Sequence, residues 1–268
     1  MGIITLTTDF GVRDWFVGTM KGVILGIAPK TQVVDITHEV PPGDVQAGAF
    51  ALASSYRFFP PGTVHLAVVD PGVGSKRPAI TVVTRNYYFV GPDNGVLSLA
   101  LAREKVKTIR RLENEKLFLN QVSRTFHGRD IFAPVAAHLS KGAKLAEVGP
   151  EMAEYKSLEI PRPEVLPSDG RGCPNVQVRG AIVYIDRFGN AITNLPETLP
   201  VFRDGGPARA RVGKRRWRVP CCDHYQAVPP GRPLAVIGST GFLEIAINGG
   251  NAAERFGLKV GDPVSVEA

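Results

Sequence analysis

The chain has 268 residues, 44% of them apolar and 21% charged, as in an ordinary globular protein and unlike disordered, collagenous or coiled-coil chains. At this size about 73% of the unfolded surface is buried on folding, so a full core forms without disulfides or a structural metal, and no stretch approaches the roughly 20 apolar residues of a membrane span. The 32 basic and 25 acidic residues leave a net charge of +7, which permits an acidic partner without establishing one.

The chain begins MGIITLTTDFG. It has no basic n-region and no cleavage site, so residues 3–9 are expected as a buried first strand rather than a signal peptide. Phe16, Met20, Val23, Ile24 and Ile27 then recur at helical spacing, with Pro29 after the stop. TQVVDIT (31–37) reads as a strand, and Val45, Ala49, Leu52, Tyr56 and Phe59 share a helical face within 43–59. TVHLAVVD (63–70), AITVVT (79–84) and YYFVG (87–91) are strands, Gly91–Gly95 is a turn, and a helix is expected from about 128 to 140. Strands alternating with helices predict β-α-β units: an α/β domain over 1–155, Rossmann-like with a mostly parallel sheet. A Pro/Gly-rich linker is expected over 156–175. Beyond it come short strands, GAIVYID, RARV, RWRV, PLAVIG, FLEIAIN and PVSVEA, with NAAERFGL the one helical stretch. Residues 176–268 therefore read as a small all-β barrel or sandwich.

Ligands of open α/β sheets bind beyond the carboxyl ends of strands. Asp9 in TTDFG and Asp70 in VVDPGVGS stand at two such ends, although Asp also caps turns and helices. The loop DPGVGSKRP lacks the spacing of a phosphate-binding loop, but it is short enough to fold Arg77 back onto Asp70. His127 in TFHGRD precedes a helix and is a side chain suited to proton transfer near neutrality. His38, His65, His138 and His224 have no metal-ligand spacing, so no metal is inferred. In IDRFGNAITN, Asp186, Asn190, Thr193 and Asn194 supply hydrogen-bonding groups and Phe188 a stacking surface. Ser239, Thr240 and the backbone near Asn251 to Ala253 offer more. Arg203, Arg209, Arg211, Lys214, Arg215, Arg216 and Arg218 form a basic cluster. Only Trp217 lies there to stack on a base, so a solvated two-stranded ribbon turning near Gly213 is favoured over a nucleic-acid surface. Cys173, Cys221 and Cys222 make an odd count without a Cys-x-x-Cys pair, which suits a reducing, cytoplasmic location.

TTDFG, PPGDVQAGAF, VDPGVGS, GPDNG, TFHGRD, DRFGN with TN, and IGSTGFLEIAINGGNAA follow one another in this order. Together they resemble the S-adenosylmethionine hydrolase family, also called S-adenosylmethionine hydroxide adenosyltransferases, relatives of fluorinase and chlorinase. The resemblance covers nearly the whole chain. It implies attack of water on the ribose C5′ of S-adenosylmethionine, giving adenosine and L-methionine without a metal or organic cofactor. It also implies a homotrimer with the site between one subunit's N-terminal domain and its neighbour's C-terminal domain. Carried over by motif, Asp70, Arg77 and His127 form the catalytic set. Asp9 contacts the ribose, with Asp14 and Phe126 nearby. Phe188, Asn190, Ala252 and Ala253 match the adenine end, and Asp186 and Ser239 the methionine end. Thr240 stands where the halogenases carry arginine, which leaves the methionine carboxylate contact open. The halogenases have tyrosines at the positions of Asp70 and His127, and a carboxylate at 70 would repel a halide. Hydrolysis is thus expected over halide transfer, and an S-adenosylmethionine or adenosine sensor with little turnover is the alternative from another class. No nucleic acid or membrane partner is expected.

Overall fold

A computed structural model describes residues 2–166, 177–202, 209–213 and 217–267. The chain divides into two compact units, Met1–Leu158 and Glu159–Ala268.

The first unit runs β1 (Ile3–Thr8), α1 (Phe16–Ile27), β2 (Gln32–Thr37), α2 (Val45–Ser55), β3 (Val64–Val68), β4 (Ala79–Thr84), β5 (Tyr88–Pro92), α3 (Ser98–Leu101), β6 (Val106–Arg111), α4 (Ala133–Ser140) and β7 (Glu151–Met152). Its seven strands form one sheet in the order β2-β1-β3-β5-β4-β6-β7. The pairs β1–β2, β1–β3 and β3–β5 are parallel. The pairs β4–β5, β4–β6 and β6–β7 are antiparallel. This corrects the expected mostly parallel sheet: half of it is a meander. The reason is local. Only residues 85–87 join β4 to β5, too few for the crossover that parallel neighbours require. The Thr84 hydroxyl accepts from Tyr87 N at 3.1 Å and closes that turn.

α1 and α4 pack on one another, and Met20, Ile24, Phe132, Val135 and Ala136 join Ile4, Leu6 and Leu66 in the main core. α2 starts at Asp44, whose carboxylate accepts from Ala47 N at 2.9 Å, a side-chain N-cap. The helix expected from 128 begins instead with one wide π-helical turn, Gly128–Phe132, before α4 continues it.

The second unit comprises β8 (Glu164–Leu166), β9 (Gln177–Ile185), β10 (Ala191–Pro196), β11 (Arg209–Val212), β12 (Trp217–Pro220), β13 (Pro233–Ile237), β14 (Phe242–Ile247), α5 (Ala252–Phe256) and β15 (Pro263–Glu267). Its strands run β12-β11-β15-β9-β10-β14-β13 with antiparallel neighbours, and β8 pairs with β9. A backbone bridge from Cys221 to Ala235 ties the β12 end of the sheet to β13, so the sheet is a nearly closed barrel. Val178, Ile182, Leu195, Val212, Leu243, Ile245 and Val266 fill it. The expected linker thus contains a strand, β8, while its residues 167–175 lie outside the described residues. The basic ribbon forms as β11 and β12, with Gly213 at φ 70°. Arg211 grips Glu267 through both terminal guanidinium nitrogens, at 2.6 and 3.1 Å. Arg203 and residues 214–216 of that cluster, like Cys173, fall outside the described residues.

Candidate active site

β1 and β3 are adjacent and parallel, with Thr8 opposite Val68. Their carboxyl ends therefore lie side by side, and Asp9 and Asp70 leave the same edge of the sheet. Both strands are buried nearly throughout, so the apolar run anchors each carboxylate just where the chain emerges.

After Asp70 the chain makes two tight turns, Val73 N to Asp70 O and Ser75 N to Gly72 O, both at 3.1 Å. Gly74 has φ 77°, and the Arg124 carbonyl occupies the place where a Cβ would stand. Glycine is needed there on both counts. This close approach lays the 70–77 loop on the segment that precedes His127. Arg77 folds back as the sequence suggested. Its Nε donates to Asp70 Oδ1 at 2.9 Å and its Nη2 to Oδ2, a two-pronged pairing. The pair is nearly sealed, with side-chain exposures of 11% for Arg77 and 5% for Asp70. The guanidinium also lies 5.3 Å from the Phe132 ring centre.

Arg77 Nη2 reaches His127 Nδ1 at 3.0 Å. Guanidinium can only donate, so Nδ1 accepts, and the ring proton of neutral His127 belongs on Nε2. Burial pushes the His127 pKa below its ordinary value, and the Arg77 charge adds to this against weaker opposing pulls from Asp70 and Asp130. A neutral imidazole is the consistent state. Its folded form prefers to lack the proton, so this preference stabilises the fold above the ordinary imidazole pKa and is lost as pH falls through the lowered value. An NMR titration of the His127 ring is expected to show a midpoint below 6.5; a midpoint at or above that value would overturn the assignment.

The loop before His127 is held by Asp130, which is fully buried. Its carboxylate accepts from Ser123 N at 2.8 Å and from Arg129 Nε at 2.6 Å, while Ser123 Oγ accepts from Phe126 N at 3.0 Å. Gly128 has little room: a Cβ would lie 3.3 Å from Met20 Sδ and from the Phe10 and Phe126 rings. π turns of this kind recur at functional sites.

Asp9 accepts from Gly43 N at 2.8 Å through Oδ2. Gly11 N donates to His38 O at 2.8 Å, and Thr8 Oγ1 bonds His38 Nδ1 at 2.8 Å, so a buried histidine fixes the Asp9 loop from below. Asp14 is exposed two residues before α1. Phe126 is 7% exposed and sits edge-on to Phe10 and Phe16, with ring centres 5.7 and 5.1 Å away. The Arg129 guanidinium lies over its ring, 5.1 Å from the ring centre.

The second unit gathers the other expected residues around the β9–β10 hairpin. Asp186 Oδ1 accepts from Phe188 N at 2.9 Å and Asn190 N at 2.8 Å, and its Oδ2 accepts from Asn190 Nδ2 at 3.0 Å. Gly189, at φ 81°, has the Asn251 amide where a Cβ would be. Ala253 N donates to Gly189 O at 2.9 Å, so that N–H serves the turn. Asn251 caps α5 by accepting from Glu254 N at 2.8 Å. The result is a rigid hairpin tip from which Phe188 projects, 75% exposed, beside buried Asn190 and Ala252. An exposed ring on a braced turn leaves both its faces open to a planar partner. Ser239 is exposed on the turn between β13 and β14, closed by Gly238 N to Phe242 O at 2.9 Å.

Two residues here escaped the sequence reading. Glu244 on β14 is 5% exposed, and its carboxylate accepts from the Tyr225 hydroxyl. Burial raises the Glu244 pKa, and the Asp186 charge adds to that rise against the Tyr225 bond. The signal was present: one acid in the middle of the apolar run FLEIAI. Among the described residues no group of three or more His, Cys, Asp or Glu side chains is arranged to hold a metal ion.

Comparison with known proteins gives two family matches. Residues 4–149 match the SAM hydroxide adenosyltransferase N-terminal domain, and residues 180–265 match the C-terminal domain of the same family. The (R)-S-adenosyl-L-methionine hydrolase of Salinispora tropica is 41% identical, over 99% of this chain and 97% of its own length. The enzyme of that name from Thermus thermophilus is 39% identical over 96% of each chain. The crystal structure of an uncharacterized conserved protein from Thermotoga maritima superposes with a TM-score of 0.88, at 39% identity over 99% of both chains. Fluorinases stand further off, at 28% identity over 98% of this chain and 97% of its own length for that of Actinoplanes sp..

Proposed function

The chain belongs to the SAM hydroxide adenosyltransferase family, and from that premise we propose how its residues carry out the reaction. It is an enzyme that hydrolyses S-adenosyl-L-methionine to adenosine and L-methionine. The substrate is the (R) sulfonium epimer, as the names of the relatives say of those enzymes.

The observation that carries the residue assignment is the hydrogen-bonded Asp70–Arg77–His127 chain, with its ion pair nearly sealed. Water has a pKa near 15.7 and must be polarised and aimed. Asp70 spends one lone-pair direction of each oxygen on Arg77, and a carboxylate has about four, so it still accepts a hydrogen bond from a water. Arg77 stops the carboxylate from rotating and places a fixed positive charge beside the developing hydroxide. Neutral His127 accepts from Arg77 and keeps that guanidinium in plane. The water oxygen bonds to C5′, the C5′–S bond breaks, and sulfur takes the bonding pair to become the neutral thioether of methionine. The water proton leaves through Asp70 toward solvent. A sulfonium needs no activation to depart, so positioning supplies much of the rate, and no metal or organic cofactor is required.

Asp9 holds the ribose hydroxyls, with Asp14 and Phe126 beside the substrate. Phe188 stacks on adenine beside Asn190, with Ala252 and Ala253 behind the base. Asp186 and Ser239 take the amino-acid end. The first set lies in one unit and the second in the other, which supports a homotrimer whose site is completed between neighbouring subunits. Such a trimer has a mass of about 87 kDa, three times 28.9 kDa, which light scattering would read. A cytoplasmic location accords with three cysteines that form no paired framework in the sequence.

Purified protein dialysed against chelator and incubated with S-adenosylmethionine should release adenosine and methionine in equal amounts. Added fluoride or chloride should give no 5′-halogenated nucleoside. Such a product, or no product at all, would overturn the assignment. Phe188→Ala should weaken adenosine binding by about 1–3 kcal/mol, the usual worth of a base–aromatic stack. Equal affinity by calorimetry would remove Phe188 from the site.

A further inference from the structure

β1 and β2 fall out of step just before Asp9. Leu6 pairs with Asp35 and Thr7 with Thr37, so Ile36 is one residue extra on β2. A bulge of this kind re-aims the side chains around it, and bulges gather beside active sites. The residue that follows β2 is His38, 4% exposed. Its ring lies between two groups. Thr8 Oγ1 is 2.8 Å from Nδ1, and Asp35 Oδ1 is 3.1 Å from Nε2, off the line of that N–H. The other Asp35 oxygen takes Lys21 Nζ, from α1, at 2.5 Å. Burial raises the Asp35 pKa, but the bonds from Lys21 and His38 outweigh this and hold it below its ordinary value. A carboxylate beside Nε2 keeps the ring proton on that nitrogen. Nδ1 is then the acceptor for the Thr8 hydroxyl, whose own oxygen takes Phe10 N at 3.3 Å. The His38 carbonyl takes Gly11 N at 2.8 Å.

Residues 8, 10 and 11 are thus tied to one histidine, and the residue they enclose is Asp9. An apolar side chain would anchor the same loop without the cost of burying an imidazole. A chain of hydrogen bonds fixes rotation as well as position, because each member is aimed by the next. Asp9 gains from that. Its Oδ2 takes Gly43 N at 2.8 Å, so a small twist of the 8–11 backbone would either break that bond or swing the carboxylate away from a ligand. We propose that His38, oriented by Asp35, is the positioning residue through which Asp9 selects a ribose that carries its hydroxyls. This rests on the ribose role given to Asp9 above.

The test is the ratio of affinities for adenosine and 2′,3′-dideoxyadenosine, read by calorimetry on the full chain. Wild type should prefer adenosine by about tenfold or more, the worth of a hydrogen bond to a charged group, and Asp9→Ala should abolish the preference. His38→Gln reaches Asp35 but leaves Thr8 without its partner. It should cut the preference to about threefold or less, through weaker adenosine binding, with dideoxyadenosine affinity held within about twofold. His38→Asn sets an oxygen near the place of Nδ1, keeps the Thr8 bond and should recover part of the preference. Asp35→Asn, on a half-exposed side chain that the fold tolerates, should move the ratio in the same direction as His38→Gln. Added to Asp9→Ala, His38→Gln should change adenosine affinity no further, because its effect passes through Asp9. Equal losses for the two nucleosides, or a wild-type ratio in both His38→Gln and Asp35→Asn, would overturn the inference and leave the ribose role of Asp9 standing. A preference that survives Asp9→Ala would instead overturn the reading on which it rests.

Discussion

Asp70→Asn is expected to lower kcat by about 10²–10³-fold, in the range that a positioned proton acceptor contributes, while S-adenosylmethionine still binds. The exchange keeps the shape and changes two things at once. An amide oxygen is a weaker acceptor for the attacking water. An amide nitrogen, facing a guanidinium that can only donate, cannot reproduce the two-pronged pairing seen through Oδ1 and Oδ2. Arg77 would then be free to turn, and its link to His127 Nδ1 would loosen. Rapid-quench turnover and calorimetric affinity on the same preparation read the effect. Turnover within threefold of wild type would sink the placement of Asp70 beside the nucleophile.

Arg77→Ala should remove turnover and also destabilise the fold. Asp70 is 5% exposed, and stripping one partner from a buried ion pair typically costs about 3–5 kcal/mol. For a protein of this size each kcal/mol moves the melting temperature by about 2–4 °C, so a fall of roughly 6–20 °C follows. Arg77→Lys separates charge from geometry. An ammonium restores the positive charge, and with it most of the stability. It cannot reach both oxygens of Asp70 and His127 together, so turnover should remain at least tenfold down. Equal recovery of stability and rate in Arg77→Lys would show that charge alone matters.

Much of this was legible because the apolar strands stop at acids. IITLTT ends before Asp9 and VHLAV shortly before Asp70, and adjacent parallel strands bring those ends together. The return of Arg77 to Asp70 was legible too, because seven residues of glycine-rich loop leave few other places for a guanidinium. The antiparallel half of the sheet was not. VKTIRR, the whole of β6, carries three cations and reads as surface chain, yet pairing with β4 needs only its backbone. The wide turn at Gly128–Phe132 left no trace in periodicity, since one added residue shifts a helical stripe too little to see. The need for glycine at position 74 comes from the Arg124 carbonyl, fifty residues away in the chain. Glu244 was passed over because an acid in a strand usually faces water, and only the packing of Ile192, Val236 and Tyr225 around it shows that this one does not.

The bridge between Cys221 and Ala235 has a consequence for the protein in a crowded solution. An open sheet ends in a row of spare backbone donors and acceptors, which any extended peptide can copy. Here the two terminal strands, β12 and β13, are drawn to each other at that seam, and their edge groups begin to be used within one molecule. A stray strand from a second chain finds no long template there, so fibrous growth by strand addition is checked along that seam.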